Sequence, residues 1–244
     1  MVSPAKSLRL RRPWSPGLGA SVALSFALLA ALLALAEPAI GLSPAYTARV
    51  LLAHAAVLAA VGILARRHLR PATFGAANLV TLLRAALTAA LLGLLWEPKL
   101  DRFAWFAVVL AVFALLLDGV DGRLARRNDE ATSFGARFDM ETDAASILVL
   151  AVLCWAFGKA GLWVLAAGLL RYAFVAAARI ARFMRAPLPS SRRRQTVCVV
   201  QIIALLLTLA PLTAVPLSSA TAALGLAFLG GSFLVDVGWL WRRR

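Results

Sequence analysis

Eight apolar stretches, at about residues 18–36, 45–65, 75–96, 103–120, 135–157, 161–183, 196–213 and 218–240, occupy most of this chain. Each is long enough, or nearly so, to cross about 30 Å of hydrocarbon at about 1.5 Å per residue of helix. In hydrocarbon a backbone has to satisfy its own N–H and C=O groups, so such runs fold as helices. Of the 244 residues 62% are hydrophobic and 15% charged, which is more apolar surface than one water-soluble core of this size could bury. The expectation is an all-α, polytopic integral membrane protein with eight spans.

The formal net charge of +15 does not point to nucleic acid, because the basic residues sit at the ends of apolar runs and not along one soluble face. Positive-inside topology and anionic lipid headgroups account for that placement. With the N-terminus inside, 22 of the 26 Lys and Arg fall on the inner side and 4 on the outer, namely Arg49, Lys99, Arg102 and Lys159. Both termini are therefore expected in the cytoplasm, with the chain in an inner or plasma membrane. The first run, with its basic start and the ALA before Glu37, also resembles a secretory signal; its length favours an uncleaved anchor.

Residues 1–70 divide off as a basic tail and two accessory helices, and residues 71–244 as a six-helix core. The first two runs carry almost no polar side chains apart from Arg49 and His54, and His54 is expected to be hydrogen-bonded filler. Cys154 and Cys198 lie within apolar runs and read as small buried hydrophobes. Asp236, Gln201 and the tryptophans near run ends read as structural. Gly230-Gly231 permits the close helix packing that a homodimer interface uses.

One stretch breaks the apolar pattern: DGVDGRLARRNDEATSFGARFDMETD, residues 118–143, between the fourth and fifth runs. Asp118 and Asp121 are three residues apart, and Asp139 and Asp143 four apart, so on helices each pair shares a face. Two antiparallel helices joined by a short connection can aim all four carboxylates into one space. Such a cluster repels itself without counter-charge. Hard oxygen ligands with no His or Cys nearby in the sequence point to Mg²⁺ or Mn²⁺ instead of zinc. Gly122, Ala125 and Gly135 leave room for a ligand or for close helix contact, and Arg126 offers a phosphate paired donors. Asp129 and Glu130, between the runs, read as salt-bridged loop residues, whereas Asp118 and Asp143 adjoin apolar sequence where a charge is costly.

The order Asp118-x-x-Asp121-Gly122-x-x-Ala125-Arg126, then eight residues, then Gly135-x-x-x-Asp139-x-x-x-Asp143 resembles the signature of the CDP-alcohol phosphotransferase family. All eight positions match in type and spacing, and the six runs from about residue 75 onward match that family's six-helix core. The resemblance implies transfer of a phosphoalcohol group from a CDP-alcohol, foremost CDP-diacylglycerol, to an acceptor hydroxyl, with release of CMP. It implies two divalent ions held by Asp118, Asp121, Asp139 and Asp143, with Asp143 also the general base, and a nucleotide pocket of Gly122, Ala125, Arg126 and Gly135. The family often has an N-x-x-T-x-x-R pattern at the preceding helix, so Asn78, Thr81 and Arg84 are expected at the nucleotide.

Arg171 lies near the middle of the sixth run and costs on the order of 3 kcal/mol there unless it meets a carboxylate or a polar cavity. With Arg192 and Arg193 it is a candidate for a phosphorylated acceptor. The residues after Asp143, AASILVL, match neither the ending usual for glycerophosphate acceptors nor that for serine acceptors, and the acceptor stays open. Two other readings compete. A membrane prenyltransferase also binds pyrophosphate through aspartates and Mg²⁺, but on well-separated helices. An ion transporter with intramembrane carboxylates would not require Ala125, Arg126 and Gly135 at fixed spacing.

Overall fold

In a computed structural model, residues 17–68, 74–127, 132–186, 188–189 and 191–243 are described, with the backbone alone for 65–68 and 121–127. The described residues form eight long helices: α1 (Leu18–Ile40), α2 (Pro44–His68), α3 (Gly75–Gly93), α4 (Asp101–Arg127), α5 (Ser133–Ala156), α6 (Ala166–Ile180), α7 (Arg192–Leu209) and α8 (Leu217–Trp241). Short 3₁₀ turns extend α3 over Leu94–Trp96, precede α6 over Leu162–Leu165 and follow it over Arg182–Arg185. No strand occurs among the described residues.

The all-α membrane architecture holds, but the count of eight spans does not follow from it. Among the described residues six helical stretches are long and apolar enough to cross a bilayer: Leu18–Ile40, Pro44–Leu64, Gly75–Trp96, Asp101–Val120, Leu162–Ile180 and Leu217–Trp241. Helix α5 carries Arg137, Asp139, Glu141 and Asp143 in its first half, and α7 has 18 residues, the first three of them arginine. Charge shortens the apolar part of both.

Helix α3 is the axle of the bundle. Two-thirds of it (67%) is buried, against 17–33% for the other five apolar stretches. Its sequence explains this: Gly75, Ala76, Ala85, Ala86, Ala89, Ala90 and Gly93 present almost no side chain, so neighbouring backbones can approach from several sides. Helices α1, α2, α4 and α5 all pack against it. One continuous apolar core runs from Leu29, Leu33, Tyr46 and Val50 of the first two helices through Ala86, Ala90 and Leu94 to Leu150, Leu205 and Leu209.

The first two helices are fastened to α3 at the end where α3 leads into α4. Gly41 ends α1 in the left-handed region (φ 72°), where its N–H donates to Glu37 O at 3.0 Å. A Cβ on Gly93 would lie 2.6 Å from Val50 Cγ2 and 2.8 Å from Tyr46 Cε2, so α2 seats where α3 has no side chain. Tyr46 then donates its hydroxyl to Ala90 O at 2.9 Å. Beside it, the buried Glu97 carboxylate accepts from Ser43 N (3.1 Å), Ser43 Oγ (2.5 Å) and Arg49 Nη1 (3.1 Å). His54 accordingly has a partner, Ser25 Oγ at 3.2 Å, in the seam between α1 and α2.

Candidate active site

At the opposite end of the bundle α4 leaves its apolar stretch and α5 begins. Thr132 caps α5, its Oγ1 accepting from Gly135 N at 2.9 Å, which fixes where the helix starts and so where Asp139 and Asp143 point. These two are one turn apart on one face. Asp118 of α4 faces them: Asp118, Asp139 and Asp143 each present a carboxylate oxygen within 4.8 Å of the others.

Beneath the three carboxylates lies Arg84 of α3. Its Nη1 donates to Asp139 Oδ1 at 2.6 Å, and its Nη2 donates to Asp118 Oδ1 at 2.8 Å and to Asp143 Oδ1. The arginine side chain is 3% exposed, whereas those of Asp118, Asp139 and Asp143 are 27%, 43% and 24% exposed. The site therefore has a cationic floor and an open acidic rim. Among the described side chains three carboxylates face one guanidinium, and an arginine cannot shed its proton to relieve the imbalance.

The floor is held by contacts between α3 and α5. A Cβ on Gly135 would come within 2.7 Å of Asn78 Oδ1, so α3 and α5 meet here only because residue 135 has no side chain. Asn78 Nδ2 donates to Phe74 O (2.5 Å), and Thr81 Oγ1 to Ala77 O (3.2 Å). One turn further in, Thr88 Oγ1 donates to Arg84 O (3.0 Å) and lies 2.8 Å from Ser146 Oγ, itself bonded to Thr142 O (2.9 Å).

The donor set fits a hard divalent cation. Three carboxylate oxygens already converge from two helices, the rim is open, and the ligands are those Mg²⁺ and Mn²⁺ favour. One finding departs from the sequence reading. Cys198 of α7, far away in the chain, brings its Sγ to 4.0 Å from Asp143 Oδ2. A single half-buried thiol beside three carboxylates does not make a soft site, but the cysteine borders the site.

The sequence-predicted residues divide into three groups. Asn78, Thr81, Arg84, Asp118, Gly135, Asp139 and Asp143 converge on the facing surfaces of α3, α4 and α5. For Asp121, Gly122, Ala125 and Arg126 the α4 backbone continues as helix, and their side chains lie outside the described residues. The candidate acceptor arginines are engaged elsewhere or open. Arg171 pairs with Glu141, which stands two residues from both Asp139 and Asp143, about 200° round the helix from each. Arg193 pairs with Asp236 and donates to Ser232 O at 2.7 Å, joining α7 to α8, and Arg192 is exposed. The structural reading of Asp236 is thereby accounted for. Glu141 and Cys198 were not singled out as site neighbours by sequence reasoning. For Glu141 a signal existed, an acid in a helix needing a basic partner, whereas nothing in the local sequence marks Cys198.

The structure defines a helical membrane protein with an acid cluster shared by two successive helices, in which three carboxylates could hold a metal ion. The chain belongs to the CDP-alcohol phosphatidyltransferase family, whose family model matches residues 74–231. The matched segment starts at α3 and leaves out α1 and α2. A choline/ethanolaminephosphotransferase 2 of Arabidopsis thaliana is 40% identical over 74 residues, 28% of this chain. The match spans about a fifth (19%) of that relative's length. No solved structure matches the chain.

Proposed function

We propose that this protein transfers a phosphoalcohol group, foremost a phosphatidyl group from CDP-diacylglycerol, to an acceptor hydroxyl with release of CMP in phospholipid synthesis. The observation that carries the reading is the convergence of Asp118, Asp139 and Asp143 within 4.8 Å, at the family's spacing and at an open end of the bundle. In this reading α5 and α7 also cross the membrane, giving eight spans with both termini and the acid cluster in the cytoplasm. The accessory unit is then residues 1–70 and the catalytic unit 71–244.

Asp118, Asp121, Asp139 and Asp143 would hold two Mg²⁺ or Mn²⁺ ions. Ions bound there would neutralise the donor pyrophosphate, polarise the phosphorus under attack and stabilise the CMP that leaves. The protein's own part is placement and proton transfer. Asp143, on the face of α5 turned toward α3 and α7, takes the proton of the acceptor hydroxyl as it attacks. The nucleotide pocket is assigned to Gly122, Ala125, Arg126 and Gly135, together with Asn78, Thr81 and Arg84 of α3. Arg192 is free to meet an acceptor phosphate at the rim, while Arg171 and Arg193 would have to exchange Glu141 and Asp236 for it.

A second reading of the donor is favoured by the relative's name. A CDP-alcohol with a small head, such as choline or ethanolamine, could serve as donor, with a lipid bearing the acceptor hydroxyl. The test is CMP release by the purified chain in detergent with Mg²⁺ or Mn²⁺. CDP-diacylglycerol would be offered with glycerol 3-phosphate, inositol, inositol phosphate, serine, choline and phosphatidylglycerol, and CDP-choline and CDP-ethanolamine with diacylglycerol. Acceptor-dependent CMP that Asp143→Asn abolishes names donor and acceptor together. Cytidine nucleotide binding without turnover in every combination would remove the transferase reading.

A further inference from the structure

We propose that Arg84 is a built-in counter-ion that competes with the divalent cations for the aspartates, setting how tightly the metal binds before any donor arrives. The inference rests on the reading of Asp118, Asp139 and Asp143 as cation ligands.

The geometry is one of shared atoms. Arg84 occupies the Oδ1 atom of all three aspartates, at 2.8 Å from Asp118 and 2.6 Å from Asp139, with the third contact to Asp143. A Mg²⁺ ion takes carboxylate oxygens at about 2.0–2.1 Å and demands near-octahedral geometry. An ion on those oxygens would lie within a few ångströms of the guanidinium, and two cations that close repel strongly in a half-buried site. Loading therefore requires Arg84 to give up at least part of its contacts. The same contacts give the three carboxylates a counter-charge: one planar, permanently charged fork from α3 bridges α4 and α5. Residues deeper in the bundle keep the fork in place, since Thr88 and Ser146 fill the turn below and the Arg84 side chain is 3% exposed. Released from part of these contacts, the guanidinium would be free to donate to a phosphate bound beside the ions, so donor binding would restore what metal binding takes away. The predicted consequence is weak metal binding to the free protein and tight binding once a pyrophosphate is present.

The experiment measures Mn²⁺ alone, by electron paramagnetic resonance titration of the full chain in detergent after chelation, together with melting in EDTA. Arg84→Gln keeps hydrogen-bonding capacity and removes the charge. It should bind Mn²⁺ at least about tenfold more tightly than wild type, melt lower in EDTA, and gain more than wild type in melting temperature when Mn²⁺ is added. Damage to the fold would weaken Mn²⁺ binding, so the sign separates competition from a structural role. Arg84→Lys, a point charge that cannot bridge three carboxylates, should fall between the two. Equal or weaker Mn²⁺ binding by a monodisperse Arg84→Gln overturns the proposal. Should that variant not survive extraction, Arg84→Lys decides in the same way, tighter binding supporting and equal or weaker binding overturning. No Mn²⁺ binding by wild type or either variant overturns it too. The transferase reading is scored apart, on CMP. Turnover by wild type with unchanged Mn²⁺ affinity across the variants sinks only the counter-ion, and the expected affinity order without turnover sinks only the transferase.

Discussion

The two ends of the bundle each bury an arginine–carboxylate cluster, and the clusters differ in balance. At one end Glu97, whose side chain is 2% exposed, meets Arg49 one to one and fills its remaining capacity with Ser43 N and Oγ. At the other, one arginine faces three aspartates that are 24–43% exposed. Among the described side chains, one end pairs its charges and so ties helices together, while the other leaves carboxylates in excess of cations, which is where a cation could be held. Burial alone does not separate them, because Arg84 is as buried as Glu97. What separates them is the count of opposite charges and which partner faces outward.

The largest effect that could break this comparison is on turnover. Asp143→Asn, Asp118→Asn and Asp139→Asn should each lower CMP release by at least about 100-fold, the usual worth of a positioned general base or metal ligand. Each should retain the wild-type melting temperature in EDTA, because removing one of three like charges relieves repulsion as it removes a contact with Arg84. At the balanced end the pattern should invert. Glu97→Ala leaves Arg49 and Ser43 without their acceptor and should cost about 3 kcal/mol of stability, while CMP release per folded molecule stays at the wild-type level. Thermal melting in detergent and a normalised rate check both.

Smaller effects sharpen the same contrast. Gly93→Leu drives a side chain into Val50 and Tyr46 and should cost about 2 kcal/mol, the usual penalty for overpacking. It should loosen α2 from α3, which limited proteolysis between residues 41 and 44 would report. Ser146→Ala removes one interhelical hydrogen bond below Arg84 and should cost less than about 1 kcal/mol.

Much of this was legible in the sequence because apolar length and i, i+4 spacing act locally. The helix boundaries fall close to the apolar runs, and Asp139 and Asp143 share a face for the reason their spacing gives. Asp118 of α4 meets Asp139 and Asp143 of α5 because both helices pack on α3, whose Arg84 bridges the three carboxylates. What was not legible depends on rotation about helix axes. The pattern Asn78, Thr81, Arg84 marks one face of α3, but only the packed bundle shows that this face meets Gly135 and the aspartates. Arg171 was marked as needing a partner; that the partner is Glu141, behind the acid cluster, follows from how α6 sits on α5. Glu97 was passed over, although an acid beside apolar runs needs a cation; that it pairs with Arg49 of α2 follows from how α2 sits on α3. Apolar length alone does not count the crossings, because in a run such as 196–213 the helix already ends at Leu209, with Pro211 following.

The most direct test compares one substitution from each end in the same assay. CMP release with Mn²⁺ would be measured for wild type, Asp143→Asn and Glu97→Gln, per folded molecule, with the donor and acceptor pair that the wild type uses. The account predicts that Asp143→Asn is silent while melting like wild type, and that Glu97→Gln turns over normally while melting lower. Full turnover by Asp143→Asn, or loss of turnover by a folded Glu97→Gln, would contradict it.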